Sequence, residues 1–325
     1  MEKILQDLHT RNEEPFASVS ENILRDVLTS LDSGDTLIQT GDWFHTSKPF
    51  PEEYRKTLDL LQKAIKRGVK IVVLTGNHDF HYDRNSYSTA PLAVFGKDID
   101  IISEPTLRVI GGSNYLFLPW MPHTLLKKNY GVKTLKEYYE EVFAKELNYE
   151  SVDFVVYHFE DETVFLGGMN DGVDLSFLEK KYPNIKRLGG HIHLQSKNYI
   201  GTPFQTRYDE RGQKGRIGVV RNGEFSYEKL NNYLEFLDID FVDNLPQTSG
   251  ISYILTIKNA PSMRSAYERF KKEGVYIRKV ELSTGEEREV NEENLEEASL
   301  RELMKSFVEK NKVDKETSSY LLELL

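Results

Sequence analysis

The amino-acid sequence predicts an α/β fold, drawn out into an α+β sandwich, and three observations predict it. The first two hundred residues repeat one unit: a short Ile/Val/Leu-rich run, a polar turn and a helix-like segment, the pattern of an α/β layer. Between Ile99 and Leu118 the spacing tightens to strand, turn, strand, with Gly111-Gly112-Ser113 as the hairpin turn. Strands therefore join there without helices between them. After about residue 230 the texture changes to alternating strands around one helix, followed by a Glu/Lys-rich tail.

Taken in order, the expected strands are Lys3–Gln6, Thr36–Thr40, Lys70–Thr75, Phe154–Tyr157 and Arg187–Gly189. All are short and apolar throughout, as strands covered on both faces should be. Ser18 or Ser20 can cap a helix running to about Leu31, and Pro51 sits at the first turn of a second helix that Gly68 closes. These elements make a first domain over 1–230. Leu234–Phe241, Ile251–Lys258 and Tyr276–Leu282 alternate like strands around a helix at Pro261–Glu273, a small αβ unit over 231–285. A tail over 286–325 predicts two amphipathic helices, about 292–310 and 314–325, whose apolar stripe has little chain left to pack on.

Composition narrows the function classes. The chain has 325 residues, 39% hydrophobic and 11% aromatic, enough for a core and too apolar for disorder. Cysteine is absent, which removes disulfides, thiolate zinc sites and cysteine nucleophiles together. No apolar run has the length of a membrane span, and charge in every short window of MEKILQDLHT argues against a secretory leader. The net charge is −10, but residues 286–325 hold twelve Asp/Glu against six Lys/Arg. The acidic excess thus sits largely in the tail, and it argues only against broad nonspecific DNA binding.

Five segments place ligand-type residues at or just after strand ends: Asp7-Leu8-His9, Gly41-Asp42, Gly76-Asn77-His78-Asp79, His158 and Gly190-His191-Ile192-His193. Sites in open α/β sheets form outside the carboxyl ends of strands, so these segments can meet in one crevice. Imidazole with carboxylate suits Mn²⁺, Fe²⁺ or Zn²⁺, whereas all-oxygen sets suit Mg²⁺ or Ca²⁺. On an extended segment, Asp-x-His and His-x-His would point both members of each pair the same way. Seven candidate ligands exceed the needs of one ion and suit two ions sharing a carboxylate, the arrangement that clamps an in-line phosphoryl displacement. Gly41, Gly76 and Gly190 fit turns where backbone approaches a ligand closely.

This order of motifs resembles the calcineurin-like metallophosphoesterase superfamily. Within it, the run from Gly41 to Pro49 (Gly-Asp-Trp-Phe-His-Thr-Ser-Lys-Pro) is similar to the second motif of the SbcD-type DNA repair nucleases, the meiotic-recombination-eleven family. Tyr199-Ile200-Gly201-Thr202-Pro203, then Glu210 and Lys214-Gly215, resembles the segment that closes the nuclease domain there. The Val-Asp-Arg-Gly run and Glu-ending third motif of the protein phosphatases do not occur. The resemblance covers about 1–230, is only topological over 231–325, and at this length implies a phage or bacterial member. One departure is Gln6 before Asp7, where the family has Ser.

The resemblance implies that Asp7, His9 and His193 hold one ion, that Asn77, His158 and His191 hold the other, and that Asp42 bridges them. The ions would be divalent, Mn²⁺ preferred and Mg²⁺ possible. His78, a nonligand, would contact the scissile phosphate and stabilise the transition state or protonate the leaving 3′ oxygen, a task suited to an imidazole. His45 would help place the DNA end, and Asp79 could orient His78. The implied activities are a Mn²⁺-dependent 3′→5′ exonuclease on duplex ends and an endonuclease on single strands or hairpins, in DNA repair and recombination. Lys48, Arg55, Lys127, Lys128, Arg207, Arg211, Lys214 and Arg216 are candidate DNA contacts, the run from Arg207 to Arg216 foremost. The implied partners are DNA, an SbcC-type coiled-coil ATPase docked by the tail, and a second copy joined through helices near 51–67 and 85–96. The expected setting is the cytoplasm of a bacterial or phage-infected cell. Rival readings are an enzyme acting on small phosphoesters and a catalytically gated scaffold for the ATPase; a pure DNA-binding module lacks a basic recognition element.

Overall fold

The computed structural model describes residues 1–164, 172–246, 249–271, 274–283 and 287–289. The chain divides into two units, Met1–Glu235 with Thr248–Ser252, and Phe236–Gln247 with Tyr253–Leu325. The first unit contains a six-stranded sheet in the order Glu224–Lys229, Arg216–Arg221, Glu2–Leu5, Thr36–Gln39, Lys70–Leu74, Ile99–Ile102. Its last four strands run parallel, with Glu2 beside Thr36, Thr36 beside Lys70 and Ile71 beside Ile99. A four-stranded sheet follows the order Lys186–Gly190, Phe154–His158, Ser113–Leu118, Thr106–Ile110.

Alternation along each strand explains how these sheets stack. Ile4, Ile38, Val72, Leu74 and Ile102 from the larger sheet meet Tyr115, Phe117, Phe154, Val156 and Leu188 from the smaller one in a single buried cluster. The intervening residues face outward: Leu116, Leu118, Val155 and Tyr157 pack under Leu126, Tyr139, Phe143 and Leu178. Helices Phe16–Thr29 and Pro51–Lys66 lie against each other. Both faces of the central strands are thus covered, which is why their sequences read as unbroken apolar runs. The fold is the expected α/β type.

Pro51 begins its helix, and Gly68 follows it at φ +90°. Gly111 and Gly112, at φ +57° and +88°, make the two-residue turn that pairs Ile110 with Ser113, the left-handed geometry a tight hairpin requires. Two expectations need correction. The first helix starts at Phe16, so Ser18 and Ser20 lie inside it and neither caps it. Glu14 takes that place, its carboxylate accepting from the Ser18 amide at 3.3 Å and from the Ser18 hydroxyl at 2.6 Å. The segment near 85–96 is not an α-helix: Ser86–Tyr87 is a short strand and Ala90–Asp98 a 3-10 helix interrupted at Gly96. Pro91 cannot donate to a helical ladder, and Gly96 sits at φ +59°.

The second unit carries the strand order Tyr233–Asp240, Ile251–Ala260, Val275–Leu282, Glu287–Glu289. Its helix is Met263–Phe270, capped by the Ser262 hydroxyl, which accepts from the Ser265 amide at 3.1 Å. The two tail helices expected over 292–325 lie outside the described residues. Among the described residues no helix is long and apolar enough to cross a membrane.

Candidate metal centre and active site

Each of the five strand-end motifs leaves the carboxyl end of its strand and turns toward one pocket. That pocket, a cavity of about 370 Å³, is lined by His9, Asp42, His45, Asn77, His78, His191 and His193 among others. Asp7 and His158 lie just beneath, fully buried. The structure therefore brings together all nine residues singled out in the sequence.

The reason the pairs converge differs from the extended-strand argument. Asp7, His9, Asp42 and His191 all have positive φ, at +43°, +46°, +55° and +79°. Of the seven non-glycine residues in that conformation among those described, these four belong to the site. Asp, Asn and His tolerate it best, and strain of this kind persists only where surrounding contacts hold it. The contacts are present. Asp7 Oδ1 accepts from the His191 amide at 3.1 Å, and Asp42 Oδ1 accepts from the His78 amide at 2.8 Å. The motif glycines make room: a Cβ on Gly41 would come within 2.0 Å of His158 Nδ1, one on Gly190 within 2.7 Å of the same atom, and one on Gly76 within 2.2 Å of Asp42 Oδ1.

Asp42 is central. Its Oδ2 lies 3.3 Å from His158 Nε2 and 3.7 Å from His9 Nε2. On one side, Asn77 Oδ1 sits 3.1 Å from His158 Nε2 and 2.9 Å from His191 Nδ1. On the other, His9 Nε2 and His193 Nε2 are 3.0 Å apart. His158 Nδ1 donates to the Thr40 carbonyl at 2.8 Å and His193 Nδ1 to Glu210 Oε1 at 2.5 Å. Neither acceptor has a proton to give, so both rings keep Nε2 for whatever the Asp42 side holds. This outer-sphere arrangement is the one that orients metal-ligating imidazoles.

Electrostatics divide these rings. Burial pushes His9 well below its ordinary pKa and His191 down to about 4, leaving both as neutral bases. Burial alone would lower His158 too, but the Asp42 and Asp7 carboxylates outweigh it and raise that ring to about 9. Asp42 goes the opposite way: burial pushes its carboxyl up, and the His158 and His9 rings more than reverse this, leaving it below the carboxylate range. The ion-pair neighbours of Asp7 and Asp42 are histidines. Carboxylate oxygen, amide oxygen and imidazole nitrogen, with the Nε2 atoms of His9 and His193 facing each other 3.0 Å apart, make a donor set that fits divalent transition-metal ions.

His45 and His78 gather their ring nitrogens with that of His9. The two rings stack at 5.6 Å, and His78 Nδ1 donates to the His45 carbonyl at 2.5 Å. Burial is the main cause that lowers His45 to about 4, with the neighbouring Arg11 and His78 charges adding to it. Asp79 does not orient His78. Its Oδ2 accepts from the Asp42 and Gly76 amides, both at 2.9 Å, and so ties the second motif to the third.

The basic candidates separate. Arg207 lines the pocket. Arg55 is held on its own helix by Glu52 and Asp59, Lys48 pairs with Asp83, and Lys214 pairs with Glu235. Arg211 stacks on Tyr208, and Arg216 turns inward, donating to the Ile200 carbonyl while stacking on Tyr227. Lys127 and Lys128 close the helix His123–Tyr130. Gln6 and Glu210 were named from the sequence without these roles, and Glu160 and Arg11 were missed altogether. Gln6 links Asp7 Oδ2, the Ile192 carbonyl and the Gly201 amide. Glu210 orients His193. Glu160, two residues past His158, lines the pocket with its Oε2 buried and unpartnered. Arg11, two residues past His9, lines it as well. Adjacency to the motifs is the signal that could have flagged Gln6, Arg11 and Glu160, whereas Glu210 was marked by its place in the closing segment.

A family profile described as calcineurin-like phosphoesterase matches residues 7–195, which is more than half the chain and spans every candidate ligand. The chain belongs to the calcineurin-like phosphoesterase family. As a member it is a metal-dependent phosphoesterase of a family that uses divalent metals. It is also 25% identical over 298 residues to exonuclease subunit 1 of Enterobacteria phage T4, a match covering 84% of this chain and 80% of that protein. Two solved structures align more loosely with this calcineurin-like chain. A protein of unknown function from Aquifex aeolicus has 16% identity and a TM-score of 0.31, over 56% of this chain and 86% of its own. A 5′-nucleotidase precursor from Thermus thermophilus has 16% identity and a TM-score of 0.34, over 70% of this chain and 54% of its own.

Proposed function

We propose that this phosphoesterase is the nuclease subunit of a DNA end-processing complex of the SbcC–SbcD kind. The observation that carries the reading is the convergence of seven ligand-type side chains from five strand ends, with Asp42 at their centre. Asp7, His9 and His193 would hold one divalent ion, Asn77, His158 and His191 a second, and Asp42 would be shared; Mn²⁺ is the preferred metal. Bound there, the ions supply Lewis acidity and positive charge to an in-line phosphodiester displacement.

The chain's own groups do the rest. Asp42 Oδ1 holds the His78 amide, and the His45 carbonyl takes His78 Nδ1–H, so Nε2 is the nitrogen left for substrate. From there His78 would steady the phosphate oxygens or hand a proton to the leaving 3′ oxygen. Glu210 holds His193 upright, and Gln6 fixes Asp7 against the His-x-His turn. The substrate is DNA, degraded 3′→5′ from duplex ends and cut in single strands or hairpins. The name of the phage T4 relative, an exonuclease subunit, supports both the substrate and a multi-subunit setting. The 286–325 tail is the proposed dock for a coiled-coil ATPase, the 231–285 unit a capping domain, and the working form a homodimer in the cytoplasm.

The test is degradation of labelled linear duplex by the purified chain with Mn²⁺, beside His78→Ala and a chelator control. Loss of turnover by about 10²-fold or more in the variant, with two ions still bound, supports the reading. A chain that binds two ions and hydrolyses small phosphoesters, but leaves DNA intact even with an ATPase partner added, refutes it.

A further inference from the structure

Besides the candidate ligands, the pocket holds a cation whose surroundings are unlike those of Arg207, the other arginine that lines it. Arg11 leaves the first motif two residues after His9 and lines the same cavity as His9, His45 and His78. It is half-buried, with its guanidinium carbon 4.2 Å from the centre of the Phe16 ring. Its Nε is buried without a hydrogen-bond partner. Glu13 and Glu210 are the carboxylates near enough to act on its charge. Glu13 is exposed, and Glu210 is already engaged by His193, Thr206 and Arg207. Among the described residues no carboxylate forms an ion pair with Arg11, whereas Arg55, Arg108, Arg187 and Arg207 each have one.

A guanidinium that has lost part of its water, lies over an aromatic ring and forms no ion pair is set up to receive a planar or tetrahedral anion. Its position also favours one. Beside a site for divalent cations the like charges repel, and an anion lying between them relieves that repulsion. A small phosphoester brings a single phosphate, which the ions would take. A polynucleotide brings the next phosphate along the same strand.

We propose that Arg11 binds the phosphate adjacent to the one being cleaved, and so makes the pocket favour a polynucleotide over a small phosphoester. The inference rests on the nuclease reading above and deepens it by naming a residue that selects the substrate class. Arg207, on the rim with Asp209 and Glu210 beside it, is not in the same position, because its charge is already matched.

The experiment compares the full chain with its Arg11→Gln and Arg11→Lys variants in two measurements. The first is binding of a fluorescent single-stranded oligonucleotide, followed by anisotropy over a series of KCl concentrations with chelator present. The second is Mn²⁺-supported hydrolysis of that oligonucleotide and of bis(p-nitrophenyl) phosphate. Arg11→Gln is expected to weaken oligonucleotide binding and raise its KM about tenfold, the loss of one charge-assisted contact. The slope of log K against log salt should become shallower by about 0.7. Hydrolysis of bis(p-nitrophenyl) phosphate should stay within twofold. Arg11→Lys should restore the slope but not the full affinity, because it keeps the charge and loses the fork. Unchanged binding and slope in Arg11→Gln would overturn the proposal alone, leaving the nuclease reading intact. Equal losses on both substrates would also overturn it, by placing Arg11 at the reacting phosphate or in the fold. A wild-type chain that hydrolyses bis(p-nitrophenyl) phosphate yet binds no oligonucleotide, even with an ATPase partner added, would remove the nuclease reading and this inference with it.

Discussion

Replacing Glu210 with Gln tests whether the candidate ligands are held by the network drawn around them. Glu210 is fully buried, and its two oxygens have separate duties: Oε1 accepts from His193 Nδ1 at 2.5 Å and Oε2 from the Thr206 amide at 2.6 Å. An amide cannot do both. In one orientation its NH₂ faces the Thr206 amide, donor against donor. In the other it faces His193 Nδ1, which must then accept, moving the ring proton to Nε2 where an ion would bind. Losing a charge-assisted hydrogen bond in a buried site costs about 1.5–3 kcal/mol. At about 1.4 kcal/mol per decade this is a roughly ten- to hundredfold loss of affinity, in line with what outer-sphere partners of metal ligands contribute. Calorimetric titration of Mn²⁺ into the chelator-stripped protein reads it directly, with thermal melting as the check on folding. The ion held with His193 should weaken by that factor. The ion held with Asn77, His158 and His191, none of which Glu210 contacts, should change less than threefold. Two unaltered sites in a folded Glu210→Gln protein would refute the reasoning, and so would equal weakening of both.

Two further substitutions separate site from scaffold. Gly76→Ala places a Cβ 2.2 Å from Asp42 Oδ1 and 2.7 Å from His158 Nε2; overpacking of this kind costs about 1–3 kcal/mol. The expected outcome is a folded protein by circular dichroism with Mn²⁺ affinity reduced more than tenfold, and a wild-type titration curve would count against the geometry. Arg187→Met removes the cation 2.8 Å from the fully buried Asp161 and 2.7 Å from Glu179, leaving a carboxylate uncompensated at a cost of about 3–5 kcal/mol. Its Tm should fall by roughly 6–15 °C with the metal stoichiometry kept, and a Tm within 2 °C of wild type would show the pair to be dispensable.

The strands were legible because burial on both faces demands unbroken Ile/Val/Leu runs, and Thr36–Gln39 and Phe154–His158 obey that demand. Pro51 and Gly111-Gly112 were legible because each needs a backbone conformation that few other residues take. The start of the first helix was not, since its cap is the Glu14 carboxylate reaching Ser18 four residues on, a contact no serine-based rule anticipates. For the site, residue types and their strand-end positions were enough to name the seven candidate ligands and His78; His45 came from the resemblance, and Arg11 and Glu160 were missed. Why they converge was not readable: the left-handed backbone at Asp7, His9 and His191 is set by tertiary contacts. Gln6 shows the reason. Its partners Ile192 and Gly201 lie far along the chain, so its role exists only once the fold does. Arg11 likewise becomes distinctive only when the pocket shows that no carboxylate meets it.

The carboxylates of this centre serve two purposes at once, and that bears on how the site is made. Asp7 Oδ1 holds the amide of His191, Asp42 Oδ1 holds the amide of His78, and Asp79 Oδ2 holds the amides of Asp42 and Gly76. All but the Asp79–Gly76 bond run from one motif to the backbone of another, and the His9 amide adds a bond to the Asp42 carbonyl at 3.1 Å. The first motif is therefore tied to the last and to the second, and the second to the third, by protein groups alone, before any ion is considered. Such ties fix the ligand atoms in advance, so that binding an ion, or meeting charge that develops at phosphorus, requires little rearrangement. They also bear on the positive φ at the site: the Asp42 amide is accepted by the Asp79 carboxylate and the His191 amide by the Asp7 carboxylate, while the His9 amide goes to the Asp42 carbonyl. Exchanging such an aspartate for asparagine would thus remove a ligand charge and loosen a turn together, which is why the outlying Glu210, whose bonds to His193 and Thr206 tie no motif backbone to another, separates the two effects more cleanly than any ligand can.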